Sequence, residues 1–125
     1  MLLLTGSDRR HALTLSAVDR LQAHVHLERA ETVVDALLRS ARRPPALLLL
    51  DIAVDDAFAP VVVRHLARVA PQTEVMLFDE RTRSVPGHPT VLAWGDLEVR
   101  LQHWWQCRQT LAGPDATNAA NDDPT

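Results

Sequence analysis

Asp51 is the residue of this chain best placed to do chemistry. It closes an unbroken apolar run, residues 46–50 (ALLLL), and Asp55 and Asp56 follow closely. A run with no polar face suits a strand buried on both sides, at the centre of a parallel sheet with helices above and below. In open sheets of that kind, ligands and reacting groups gather beyond the carboxyl ends of the strands. Thr5-Gly6-Ser7-Asp8, after the short run Leu2 to Leu4, and Asp79-Glu80, after residues 74–78, reach the same edge on this reading. A carboxylate there is either tethered by backbone N–H groups or at work in a site. Clustering with Asp55, Asp56 and Asp79 would raise its proton affinity.

The other reactive residue types point to less. His24 and His26 stand two apart on one face of a strand, but no further ligand lies near them in sequence, so surface histidines are expected and no metal site. Gly6 is a lone glycine, whereas nucleotide-cradling loops need several, so a tight turn is expected. No nucleophile elbow and no paired acid–base motif is present, and the chain does not read as an enzyme. Arg42-Arg43 reads as a solvated helix end, favourable against the dipole there.

The positioning elements follow from periodicity. Residues 2–4 form a first strand, with Ser7 or Asp8 capping a helix from Arg9 to about Ala23 that buries Ala12, Leu15, Val18 and Leu21. Residues 24–28 (HVHLE) alternate as a half-exposed edge strand. A second helix runs from near Glu31 to Arg43 on Val33, Val34, Leu37 and Leu38, and Pro44-Pro45 stops it. Past the central strand, Pro60 opens a third helix with Val62, Val63, Leu66 and Val69, and Pro71 closes it. Residues 74–78 make a fourth strand. Residues 81–89 (RTRSVPGHP) hold two prolines and a glycine and predict a loop, or a shortened helix, where the rhythm asks for a full one. Residues 90–94 form a fifth strand, and Asp96 caps a last helix with Leu97, Leu101 and Trp104 on one face. Residues 1–110 then make one domain and residues 111–125 (LAGPDATNAANDDPT) a disordered tail or linker. The fold class is α/β: a doubly wound, five-stranded parallel sheet in order 2-1-3-4-5.

Composition narrows the partners. The net charge of −3 gives no field toward nucleic acid or anionic lipid, and 46% hydrophobic residues supply a core without staples. One cysteine, Cys107, forms no internal disulfide, and a cytoplasmic setting is the default. No apolar stretch is long enough for a membrane span. All 13 basic residues are arginine; there is no lysine. Adjacent Trp104 and Trp105 point about 100° apart on a helix, so one packs on the sheet and the other meets solvent or a partner.

The stretch PPALLLLDIAVDDAFAPVVVRHLARVAPQTEVMLF resembles the middle of a bacterial response-regulator receiver domain, the CheY-like branch of flavodoxin-like folds. AETVVDALLRSARRPP resembles that family's second helix, and element order agrees from Met1 to about Arg108. The resemblance places the phosphoacceptor on Asp51. The family's acidic pair, which helps hold Mg²⁺, falls on Thr5 and Gly6. Its hydroxyl falls on Asp79, or on Phe78 one register away, and its lysine near Trp94 or Gly95; Asp55 replaces the loop proline. Thr5, Gly6, Asp8, Asp79 and Trp94 thus line a degenerate pocket. Asp8, Asp55 or Asp79 would have to rebuild a cation site there. A phosphoryl group on Asp51 would meet Asp79 without a compensating cation, a repulsion of roughly 3–4 kcal/mol at an effective dielectric near 20.

The resemblance therefore implies an atypical receiver that needs no cofactor. It would act in bacterial regulation through a protein partner or a homodimer. Leu101, Trp104 and Trp105 of the last helix, with residues 81–89, form the expected contact surface, and an effector domain is expected beyond the tail. Two alternatives stand beside it: a working phosphoreceiver with Mg²⁺ at Asp51, and a nucleotide-class ligand domain using Thr5, Ser7 and Asp51.

Overall fold

In a computed structural model, which describes residues 1–21, 25–52, 59–82 and 90–118, strands and helices alternate along the chain. They are β1 (Leu2–Leu4), α1 (Asp8–Asp19), β2 (Glu28–Ala30), α2 (Val33–Arg42), β3 (Leu47–Asp51), α3 (Ala59–Val69), β4 (Glu74–Asp79), β5 (Val91–Ala93) and α4 (Leu97–Asn118). All strand pairings are parallel, and the order is β2-β1-β3-β4-β5, the doubly wound arrangement read from the sequence. Every residue of β3 is buried, as an apolar run with no polar face requires.

Strand alternation splits the core into two layers. Leu2, Leu4, Leu48, Leu50 and Leu77 face α2 and α3, where they meet Ala36, Val62 and Leu66. Leu3, Leu47, Leu49 and Phe78 face α1 and α4, where they meet Val18, Leu97, Leu101 and Trp104. Asp51, two residues beyond Leu49, belongs to the second layer.

Several element ends differ from the sequence reading, each for a local reason. Ser7, not Asp8, caps α1, and its hydroxyl accepts the Arg10 N–H at 3.2 Å. The buried stripe of α1 is Thr14, Ala17 and Val18, continued by Leu21; Ala12 and Leu15 are exposed. Thr14 can occupy that stripe because its hydroxyl donates to the Arg10 carbonyl at 2.8 Å. α1 ends at Asp19, with Arg20 as its C-cap, earlier than periodicity alone suggested. The edge strand is Glu28–Ala30 rather than residues 24–28, because register is set by pairing, Leu2 with Glu28 and Leu4 with Ala30. α2 starts at Val33 with Thr32 as N-cap, and leaves Val34 and Leu38 exposed. Asp96 does not cap the last helix: Trp94–Asp96 is a 3-10 turn that runs straight into it. α4 continues to Asn118, into the residues 111–125 expected as a tail, and carries the poor helix formers Gly113 and Pro114.

His24, Asp55, Asp56 and residues 83–89 lie outside the described residues. So does the question of whether a loop replaces a helix between β4 and β5. Among the described residues, no helix is long and apolar enough to cross a membrane.

Candidate functional site

Two strand ends build the site, Thr5 after β1 and Asp51 at the end of β3, with Phe78 of β4 beside them. Asp51 is only 3% exposed, and its Oδ2 accepts the Thr5 hydroxyl at 2.7 Å, with Thr5 fully buried. The same hydroxyl oxygen accepts the Ser7 N–H at 3.1 Å, so Thr5 ties the carboxylate to the turn that opens α1. A charge-assisted bond to a buried carboxylate contributes about 1.5–3 kcal/mol. The arrangement anchors Asp51 to the β1–α1 turn.

The residue beside Asp51 on the neighbouring strand is Phe78, its register partner, and the Ile52 N–H donates to the Phe78 carbonyl at 2.9 Å. Phe78 stacks on Trp94 with ring centroids 4.9 Å apart and 25° between planes, both rings buried. The Arg10 guanidinium lies 5.1 Å over the other ring, and Arg10 also pairs with Glu80. The row along the strand ends on this face therefore runs from the hydroxyl–carboxylate pair to the stacked rings of Phe78 and Trp94, with Arg10 over Trp94. Trp94, which stands near the position of the expected lysine, is a core residue.

The remaining residues of the expected pocket are turned to other tasks. Asp8 is exposed, and its Oδ1 accepts Arg29 Nη1 at 2.8 Å, while Arg29 Nε donates to the Thr5 carbonyl at 3.2 Å. The Arg29 hydrogen bond holds the Asp8 carboxyl below the usual aspartate range. A depressed carboxyl pKa stabilises the fold above its unfolded value, and that contribution disappears as pH falls through the folded value. Asp8→Asn is therefore expected to lower the urea midpoint slightly at neutral pH and to match the unsubstituted chain in strong acid. Equal midpoints at neutral pH would remove the Asp8–Arg29 bond from the account.

Asp79 Oδ1 accepts the Glu80 N–H at 2.8 Å, and alternation from Phe78 turns Asp79 toward the α2/α3 layer. Gly6 has nothing within 4 Å of where a Cβ would stand and needs no left-handed backbone, so the tight turn expected there does not depend on glycine. Among the described residues, no group of three or more His, Cys, Asp or Glu side chains is arranged to hold a metal ion.

The expected contact surface divides in the same way. Leu101 and Trp104 are buried beneath α4, because their spacing from Leu97 keeps all three on the stripe facing the sheet. Trp105 is half-buried at the rim of that cluster, its ring 6.3 Å from Trp104. Arg108 covers the Trp104 ring at 5.1 Å. From Gln106 to Thr110 every residue is exposed, and Gln106 and Gln109 line a shallow groove with Arg20 and Leu21.

Sequence reasoning did not single out Arg10, Arg29 or the Phe78–Trp94 stack. A usable signal existed for Arg10: it lies three positions after the N-cap, the first turn of a helix that opens at the sheet edge. Comparison with family models, with curated proteins and with solved structures finds no match to this chain.

Proposed function

We propose that the chain is a receiver-like regulatory module that works through protein contacts and does not transfer a phosphoryl group to Asp51. The observation that carries this reading is the state of Asp51: 3% exposed, bonded to the buried Thr5 hydroxyl, and flanked by Phe78. An acyl phosphate needs a reachable carboxylate, a cation to spread its charge and a second carboxylate to help hold Mg²⁺. Here Thr5 and Gly6 supply no second carboxylate, and Asp8 is turned to Arg29. A stacked Trp stands near the place of the lysine, in a chain that has none.

The doubly wound scaffold remains as a rigid body for presenting a surface. Among the described residues, α4 offers such a surface at Trp105 and along residues 106–110. A helical segment standing largely exposed is marginal in water, so a partner or a second copy that packs on Trp105 and residues 106–110 would stabilise it, with the ordering costing part of the contact energy. The setting we infer is bacterial cytoplasmic regulation, on the strength of the family resemblance.

The test is incubation with acetyl phosphate and Mg²⁺, read by intact mass, beside Asp51→Asn. No adduct is expected on either protein, and Mg²⁺ with beryllofluoride is expected to leave Tm unchanged. An adduct present on the unsubstituted chain and missing from Asp51→Asn overturns the proposal in favour of a working phosphoreceiver.

A further inference from the structure

At the edge of the sheet where the strands begin, opposite Asp51, a cleft of about 370 Å³ opens between the starts of β1 and β2 and the end of α2. Arg39 and Arg42, from the last turn of α2, and its C-cap residue Arg43 line the cleft together with Pro44 and Pro45. Arg39 is fixed: its Nε donates to Asp35 at 3.0 Å and its Nη1 lies 3.4 Å from Glu28. Glu28 is the carboxylate that lines the cleft, and it is already shared with His26 at 3.6 Å. Arg42 and Arg43 are exposed and form no ion pair among the described residues.

A helix C-terminus carries about half a negative charge, which one arginine more than offsets. Three guanidinium groups against two carboxylates, Glu28 lining the cleft and Asp35 on Arg39, leave a surplus of one positive charge in a concave site, on a chain whose net charge is −3. The frame is stiff, since the Arg43 N–H is bonded to the Arg39 carbonyl at 2.9 Å and two prolines follow. We propose that this cleft binds a small phosphate-bearing anion of the pyrophosphate or phosphomonoester class, with Arg42 and Arg43 as its principal ligands. Guanidinium forks match phosphate oxygens in pairs, and the volume falls in the range of about 300–1,000 Å³ typical of small-ligand clefts. An extended polyanion such as nucleic acid would meet the net negative charge of the rest of the chain.

The experiment is calorimetric titration of the whole chain with inorganic pyrophosphate at fixed ionic strength. Citrate serves as a carboxylate control, and amide chemical shifts locate the site. Saturable binding with shifts centred on residues 39–45 is expected. Arg42→Ala/Arg43→Ala is expected to weaken it by about tenfold or more, the worth of one hydrogen bond to a charged group. Arg64→Ala/Arg68→Ala removes two arginines of α3 that also form no ion pair among the described residues, and is expected to bind as the unsubstituted chain does. Absence of saturation, equal weakening in both double variants, or citrate binding as tightly as pyrophosphate would each overturn the proposal. The shift map of the unsubstituted chain decides the location even if a variant fails to fold.

Discussion

Trp94→Ala is expected to lower the unfolding free energy by about 3–5 kcal/mol, the usual effect of deleting a large buried aromatic. The ring is 4% exposed, stacks on Phe78, sits under Arg10 and shares its cluster with Leu97 and Leu101. Domains of this size are stable by only about 5–15 kcal/mol, so the variant should unfold at markedly lower urea concentration. Arg10→Ala removes the cation over the ring together with its pairing to the exposed Glu80, and a loss of about 0.5–1 kcal/mol is expected there because both contacts are partly exposed. If Trp94→Ala costs no more than Arg10→Ala, the ring is not a packed part of the core it shares with Phe78, Leu97 and Leu101. The cavity it leaves would be lined largely by apolar groups, and such cavities stay dry and take up small aromatics. Addition of indole is therefore expected to restore part of the lost stability. That rescue would separate a packing role from a polar one.

The layering of the sheet was legible because β3 announces itself. Four leucines in a row with turn signals on either side have one comfortable home, and the strand order follows from placing that strand in the middle. Pro44-Pro45, Pro60 and Pro71 then marked helix ends through covalent geometry alone. Edges were less readable. β2 is Glu28-Arg29-Ala30, a charged edge strand whose identity comes from pairing with β1 and not from its own alternation. α1 misled for a related reason: a buried threonine satisfied by its own helix carries no hydrophobic signature, so Thr14 did not register as core.

At the site, residue types were legible and partners were not. Asp51 and Thr5 could be placed at one edge because both end strands, yet nothing in the sequence says that the hydroxyl bonds the carboxylate. Asp8 looked available as a cation ligand until Arg29, the middle residue of β2, took it. That pairing is long-range and depends on the β1–β2 register. Trp104 and Trp105 were separable in principle by the angle between adjacent helix positions. Which of them packs was fixed only by the direction of the stripe set by Leu97 and Leu101. Arg42-Arg43 passed as an ordinary helix end because the cleft beside it is assembled from segments far apart in the chain.

The Thr5–Asp51 contact gives the second large effect, and a double-mutant cycle isolates it. Thr5→Val keeps the side-chain shape but removes the hydroxyl, leaving a 3%-exposed carboxylate short of one donor. The expected loss is about 1.5–3 kcal/mol, the range for hydrogen bonds to charged groups. Asp51→Asn retains an acceptor for Thr5 but no formal charge, so the Thr5→Val step in that background is expected to cost less, about 0.5–1.5 kcal/mol. The difference between the two steps is the part of the bond that depends on charge. A cycle that closes with no coupling would mean that the carboxylate is carried by its other surroundings and that Thr5 is merely adjacent. The same variants bear on function. If Thr5 tethers Asp51, removing that one bond in Thr5→Val should still not admit a phosphoryl group, because the chain still has no lysine and the Phe78–Trp94 stack is unchanged. Acetyl phosphate treatment of Thr5→Val is thus expected to leave its mass unaltered, whereas labelling confined to that variant would make the tether itself the barrier.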